Sequence, residues 1–76
     1  MYKLKSVIMQ NLPEHQAPVT LDQLSQNVDS DLHDLGIWES RELFQRSLRE
    51  LNREQDLVIF SNGNVIATKK GLHNYG

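Results

Sequence analysis

Ser40-Arg41-Glu42-Leu43-Phe44-Gln45-Arg46-Ser47-Leu48-Arg49-Glu50-Leu51-Asn52-Arg53 is the stretch on which the fold turns. Its apolar residues Phe44, Leu48 and Leu51, with Leu43 on one flank, recur at the three- and four-residue steps of one α-helical face. At about 100° per residue, Phe44, Ser47, Leu48 and Leu51 gather in one sector. Arg46, Arg49 and Arg53 fall opposite, with Glu42 among them and Gln45 and Asn52 beside them. Half of the chain's eight Lys and Arg residues lie in this segment. Ser40 is its expected N-cap. A helix with an apolar back and an arginine-rich front can dock on a small core and offer its front to phosphates or base edges. The same front also reads as a solvated face, with pairs such as Glu42–Arg46 contributing roughly 0.2–0.5 kcal/mol.

Outward from this helix, the chain of 76 residues predicts one domain, 1–76, close to the lower size limit for a core without staples. There is no cysteine, which rules out disulfides and thiolate metal sites and fits a reducing compartment. No apolar run approaches the roughly 20 residues of a membrane span. Met1-Tyr2-Lys3-Leu4-Lys5 lacks the long apolar core and cleavage site of a secretory signal. A cytoplasmic protein with no membrane partner is expected. The net charge of −2 argues against indiscriminate nucleic-acid binding, yet charge is unevenly distributed. Acids crowd into Asp22 to Asp34 and arginines into Arg41 to Arg53.

Upstream, Leu4, Val7, Ile8 and Leu12 form a helical stripe that Pro13 closes, so a first helix should end near Asn11. Glu14-His15-Gln16-Ala17-Pro18 reads as a loop, and Val19 as a short extended bridge. Thr20 is a good N-cap for a second helix of two turns carrying Leu21, Leu24 and Val28, with Asp22 at its positive end. In the segment 29–39, Ser30 or Asp31 can start a short helical turn that Gly36 stops. Leu32, Leu35, Ile37 and Trp38 are expected mostly on the core. Trp38 alternatively serves as an exposed anchor for a partner.

Downstream, Leu57-Val58-Ile59-Phe60 and Val65-Ile66-Ala67-Thr68 flank Ser61-Asn62-Gly63-Asn64. Asn-Gly between two β-prone runs predicts a hairpin with a two-residue type I′ turn. On that register Leu57, Ile59, Ile66 and Thr68 share one face, and Val58, Phe60, Val65 and Ala67 share the other. Both faces are mostly apolar. One covers the helices; the other calls for the 29–39 segment, the tail residues Leu72 and Tyr75, or a second copy of the chain.

The order helix, bridge, helix, helix, hairpin, with a basic third helix directly before the hairpin, resembles the winged-helix family of helix-turn-helix domains. The resemblance spans nearly the whole chain, and its best-matched part runs from Ser40 through Ser47-Leu48-Arg49-Glu50-Leu51 to the hairpin and Lys69-Lys70-Gly71. It implies a small α+β winged-helix domain of three helices followed by a two-stranded β-hairpin wing. Its third helix would enter the DNA major groove while the wing touches the neighbouring backbone. The residues so implicated in nucleic-acid binding are Arg41, Gln45, Arg46, Arg49, Asn52 and Arg53, with Asn62 at the wing tip and Lys69 and Lys70 at the far end of the second wing strand. Three features depart from the family's pattern. The second and third helices are separated by about eleven residues, Gln55-Asp56 stands where a glycine often ends the third helix, and the wing tip has no Lys or Arg.

Catalysis has little support. His15, His33 and His73 are scattered, and no serine or carboxylate stands at triad spacing. Asp29, Asp31, His33 and Asp34 lack the glycine and terminal glutamate of a calcium loop, so no metal is expected. No Gly-rich turn precedes a helix, so no phosphate cofactor is expected either. Two readings remain. One is a small DNA-binding protein, a transcriptional regulator or phage- or plasmid-type control factor, whose partner is duplex DNA. The other is a winged-helix interaction module that binds protein, or a second copy, through the hairpin or the Trp38 segment.

Overall fold

A computed structural model describes residues 3–14 and 17–75 of the chain. The elements run α1 (Leu4–Gln10), β1 (Val19–Thr20), α2 (Leu21–Asp34), α3 (Arg41–Arg53), β2 (Leu57–Ile59), β3 (Asn64–Ala67) and α4 (Lys69–Tyr75). The described residues thus form a small α+β domain of four helices and a three-stranded antiparallel sheet of order β1-β3-β2. Two elements exceed the expected three helices and two-stranded hairpin: β1, which is a paired strand, and α4. The expected loop at 14–18 includes His15 and Gln16, which lie outside the described residues.

The helix α3 forms where its stripe and cap place it. The Ser40 hydroxyl accepts the Leu43 amide at 3.1 Å, and Ser47, Leu48 and Leu51 are buried. Phe44 does not reach the centre of the core; it is half-buried and lines a groove beside α2. The core itself joins Leu4, Ile8 and Met9 of α1, Leu24 and Val28 of α2, and Leu48 and Leu51 of α3 to the inner face of the sheet. At the end of α3, Gln55 adopts φ 64°. The Asp56 amide then donates to the Leu51 carbonyl at 2.9 Å and the Gln55 amide to that of Asn52 at 3.1 Å. These are the paired bonds of a Schellman closure, in which glycine usually takes the left-handed position.

The helix α2 is longer than the two turns expected. Thr20 caps it by accepting the Gln23 amide at 3.1 Å, and it runs on to Asp34 through the predicted break. Ser30 and Asp31 look like a new N-cap because such residues are poor in helix interiors. Val28 and Leu32, four residues apart and both buried, carry one continuous stripe past them. Gly36, at φ 72°, ends the helix as expected, with its amide on the His33 carbonyl at 2.9 Å and that of Ile37 on Leu32 at 2.8 Å. The connection to α3 is therefore 35–40, and the eleven-residue separation does not exist. Ile37 turns onto the core, whereas Leu35 is 60% exposed and Trp38 83% exposed. Trp38 is thus a surface residue, contrary to its expected core position.

The hairpin forms, but on a different register. Leu57 pairs with Ala67, Val58 with Ile66 and Ile59 with Val65, leaving 61–63 as a three-residue loop. The Gly63 amide donates to the Phe60 carbonyl at 3.0 Å, and Gly63 alone in the loop has positive φ, at 89°. This is a type I turn followed by a left-handed glycine, in place of the type I′ turn that needs positive φ at both Asn62 and Gly63. The one-residue slip moves β3 to the opposite face relative to β2. Leu57, Ile59, Val65 and Ala67 consequently share the core face. On the outer face Val58 and Ile66 are half-buried and Phe60 is 44% exposed. On the other side β3 pairs with β1, Val19 opposite Val65 and Thr20 opposite Asn64.

The tail folds into α4, beside α1. Lys69 and Lys70 therefore occupy its first turn and are not part of a wing strand. The Thr68 hydroxyl accepts the Gly71 amide at 3.0 Å and donates to the Gln55 carbonyl at 2.6 Å, tying the new helix to the turn after α3. Leu72 and Tyr75 pack against the core. The buried Asp56 carboxylate accepts from the Asn74 amide at 3.0 Å, which closes the joint.

Candidate nucleic-acid interface

Because Ser47, Leu48 and Leu51 turn inward, the helical period turns Arg41, Gln45, Arg46, Arg49, Asn52 and Arg53 outward, and all six are exposed. Arg46, Arg49 and Arg53 line one shallow cleft of about 370 Å³ together with Glu50. The predicted Glu42–Arg46 pair is absent. Among the described residues the ion pairs are Lys5–Glu50 at 3.3 Å and Lys5–Glu54 at 3.0 Å, so no α3 arginine is matched to a carboxylate. The α3 acid closest to the arginine cleft, Glu50, is instead drawn toward α1.

A second group of cations gathers at the C-terminal end of α3. Lys5 is bonded to Glu54, and Arg53 and Lys70 add to the positive field there. The hydrogen bond from Lys5, followed by the charges of Lys5, Arg53 and Lys70, holds the Glu54 carboxyl below its ordinary value. The same bond to Glu54 raises Lys5 above its ordinary value, partly opposed by burial. Lys70 also donates to the Glu54 carbonyl, where it meets the negative end of the helix dipole. Tyr75 is raised by burial and then by the charge of Asp56.

The remaining expected site residues are dispersed. Arg41 lines a different groove, at the start of α3. Asn62 has its side-chain oxygen on the Asn64 amide at 3.1 Å, an internal turn contact. The loop that carries it is tied to α2 by the Leu21 amide on the Gly63 carbonyl at 2.9 Å. Lys69 is exposed on α4. Sequence reasoning missed Lys5, whose partners stand about fifty residues away in sequence; only its place beside the buried Leu4 on α1 hints at a surface role.

Charge is sorted across the domain. Residues 6–40 contain no Lys or Arg but carry Glu14, Asp22, Asp29, Asp31, Asp34 and Glu39. α2 and the turn after it therefore carry acids and no Lys or Arg, while the front of α3 is basic. Among the described residues no group of three or more His, Asp or Glu converges as a metal site requires, and no helix is long and apolar enough to cross a membrane. Compared with protein families, curated proteins and solved structures, the chain matches none.

Proposed function

We propose that the chain is a winged-helix DNA-binding domain, a small cytoplasmic transcriptional regulator or control factor and not an enzyme, with α2 and α3 as its helix-turn-helix and β2–β3 as its wing. The observation that carries this reading is the row Arg46, Arg49 and Arg53, exposed on one helix face with no carboxylate partner among the described residues. Guanidinium groups so placed are hydrated and free to meet phosphate oxygens or guanine edges. The six-residue connection 35–40 supports it too, because it removes the long insertion that set the chain apart from the family's pattern. The hairpin tip has no Lys or Arg, so backbone contacts beside it would fall to Lys69 and Lys70 at the start of α4.

The test is binding to duplex DNA followed by fluorescence anisotropy across a salt series. Each phosphate contact contributes about 0.9 to the slope of log affinity against log salt. Arg46→Ala and Arg49→Ala should each weaken binding and flatten that slope by about one unit if phosphate is the target. Their melting temperatures should stay near wild type, since exposed charges contribute little to stability. Wild-type affinity weaker than about 10⁻⁴ M at physiological salt would sink the reading, because it falls below non-specific binders.

A further inference from the structure

Between α2 and the start of α3 lies a groove of about 850 Å³ that the arginine face does not share. Leu32, Ile37, Trp38 and Phe44 supply its apolar surface, and Asp29 and Glu39 supply its carboxylates. Arg41 and His33 are its basic side chains among the described residues. The Trp38 side chain at its edge is 83% exposed, and Leu35 on the same connection is 60% exposed. A tryptophan held in water just past a hydrogen-bonded turn is an apolar anchor of the kind enriched at binding hot spots.

Charge decides what fits. Asp29 and Glu39 outnumber Arg41 among the charged side chains of the groove. Phosphate and anionic lipid surfaces meet Asp29 and Glu39 as like charges, which disfavours nucleic acid and membrane as occupants. We propose that the groove docks a cationic helical segment of a partner protein, its leucine-type side chains against Trp38 and Phe44 and its lysines or arginines against Asp29 and Glu39. This is helix-in-groove recognition with electrostatic selection, and it leaves Arg46, Arg49 and Arg53 free.

The chain's single tryptophan reports on the site directly. The probes are two synthetic peptides of about 18 residues, five helical turns, without aromatic residues. One has a leucine stripe and lysines elsewhere; the other has the same stripe and glutamates. The lysine peptide should shift Trp38 emission to shorter wavelength in a saturable way, with affinity about tenfold or more above the glutamate peptide. With labelled lysine peptide, Trp38→Ala should weaken binding about tenfold. The double variant Asp29→Asn, Glu39→Gln should weaken it about threefold or more. Neither of those carboxylates makes a side-chain hydrogen bond within the described residues, so the double variant keeps the fold. Arg46→Ala should leave peptide binding unchanged. The proposal is overturned if the lysine peptide leaves the emission unmoved, if both peptides shift it equally, or if the carboxylate variant binds like wild type. A shift produced by raising protein concentration alone would assign the groove to a second copy instead.

Discussion

Gln55 sits at φ 64°, where an L-residue with a Cβ is strained by roughly 1–2 kcal/mol. Glycine would remove the strain but lose about 0.5–1 kcal/mol through the freedom it adds to the unfolded chain. Gln55→Gly should therefore stabilise the protein by about 0.5–1 kcal/mol, read as a higher denaturant midpoint at unchanged slope. Gly71 offers the opposite case. Helix propensity alone says that alanine there should help by about 0.8–1 kcal/mol. An added Cβ would, however, stand 1.9 Å from the Asp56 carbonyl oxygen and 2.7 Å from the Met9 side chain. The oxygen belongs to backbone and cannot swing aside, so Gly71→Ala should destabilise by about 3 kcal/mol or more. A midpoint equal to or above wild type would show that α4 does not pack against this joint.

For the helices, the deciding quantity is how much of each stripe is removed from water. Leu51 is fully buried in α3 and also gives its carbonyl to the turn that ends the helix. Leu51→Ala should cost about 2–5 kcal/mol, and circular dichroism should show loss of cooperative unfolding in a domain this small. Element length was less legible than element existence. The break predicted at Ser30 rests on local propensity, which is worth only tenths of a kcal/mol per residue. Burial of Leu32 is worth roughly 1.5–3 kcal/mol and overrides it. The hairpin shows the same limit. Asn62-Gly63 signals a turn, but two- and three-residue loops both accept it, and burial of Val65 and Ala67 selects the longer one.

Across the whole molecule, Lys5 joins α1 to α3 by bridging Glu50 and Glu54. Glu54 has a lowered carboxyl value, so its contribution is present above 4.5 and is lost as pH falls through the folded value. Lys5 has a raised value, so its contribution is present below 10.5 and is lost as pH rises through the folded value. The melting temperature should hold a plateau between these limits and fall on both sides. Lys5→Met should flatten both falls, leaving at high pH the part due to Tyr75, whose raised value acts in the same direction. Salt should shrink the difference between the two proteins, as these groups are partly exposed. A wild-type profile identical to that of Lys5→Met would mean that the bridge does not form in solution.

The sequence by itself determined the elements whose signals are local. Thr20 and Ser40 mark helix starts because each hydroxyl reaches an amide three residues on. The period of Leu48 and Leu51 sets which side of α3 faces inward, and hence that Arg46, Arg49 and Arg53 face out. The segregation of acids into α2 and arginines into α3 is likewise readable without coordinates. Tertiary structure alone decided the rest. Trp38 is outside because the turn at Gly36 sends Ile37 to the core in its place. Among the described residues the arginine row has no ion pair, and Glu50, which shares its cleft, pairs instead with Lys5, distant in sequence. The register of β3 and the docking of α4 follow from which packing buries the most apolar surface, and that is a property of all elements together.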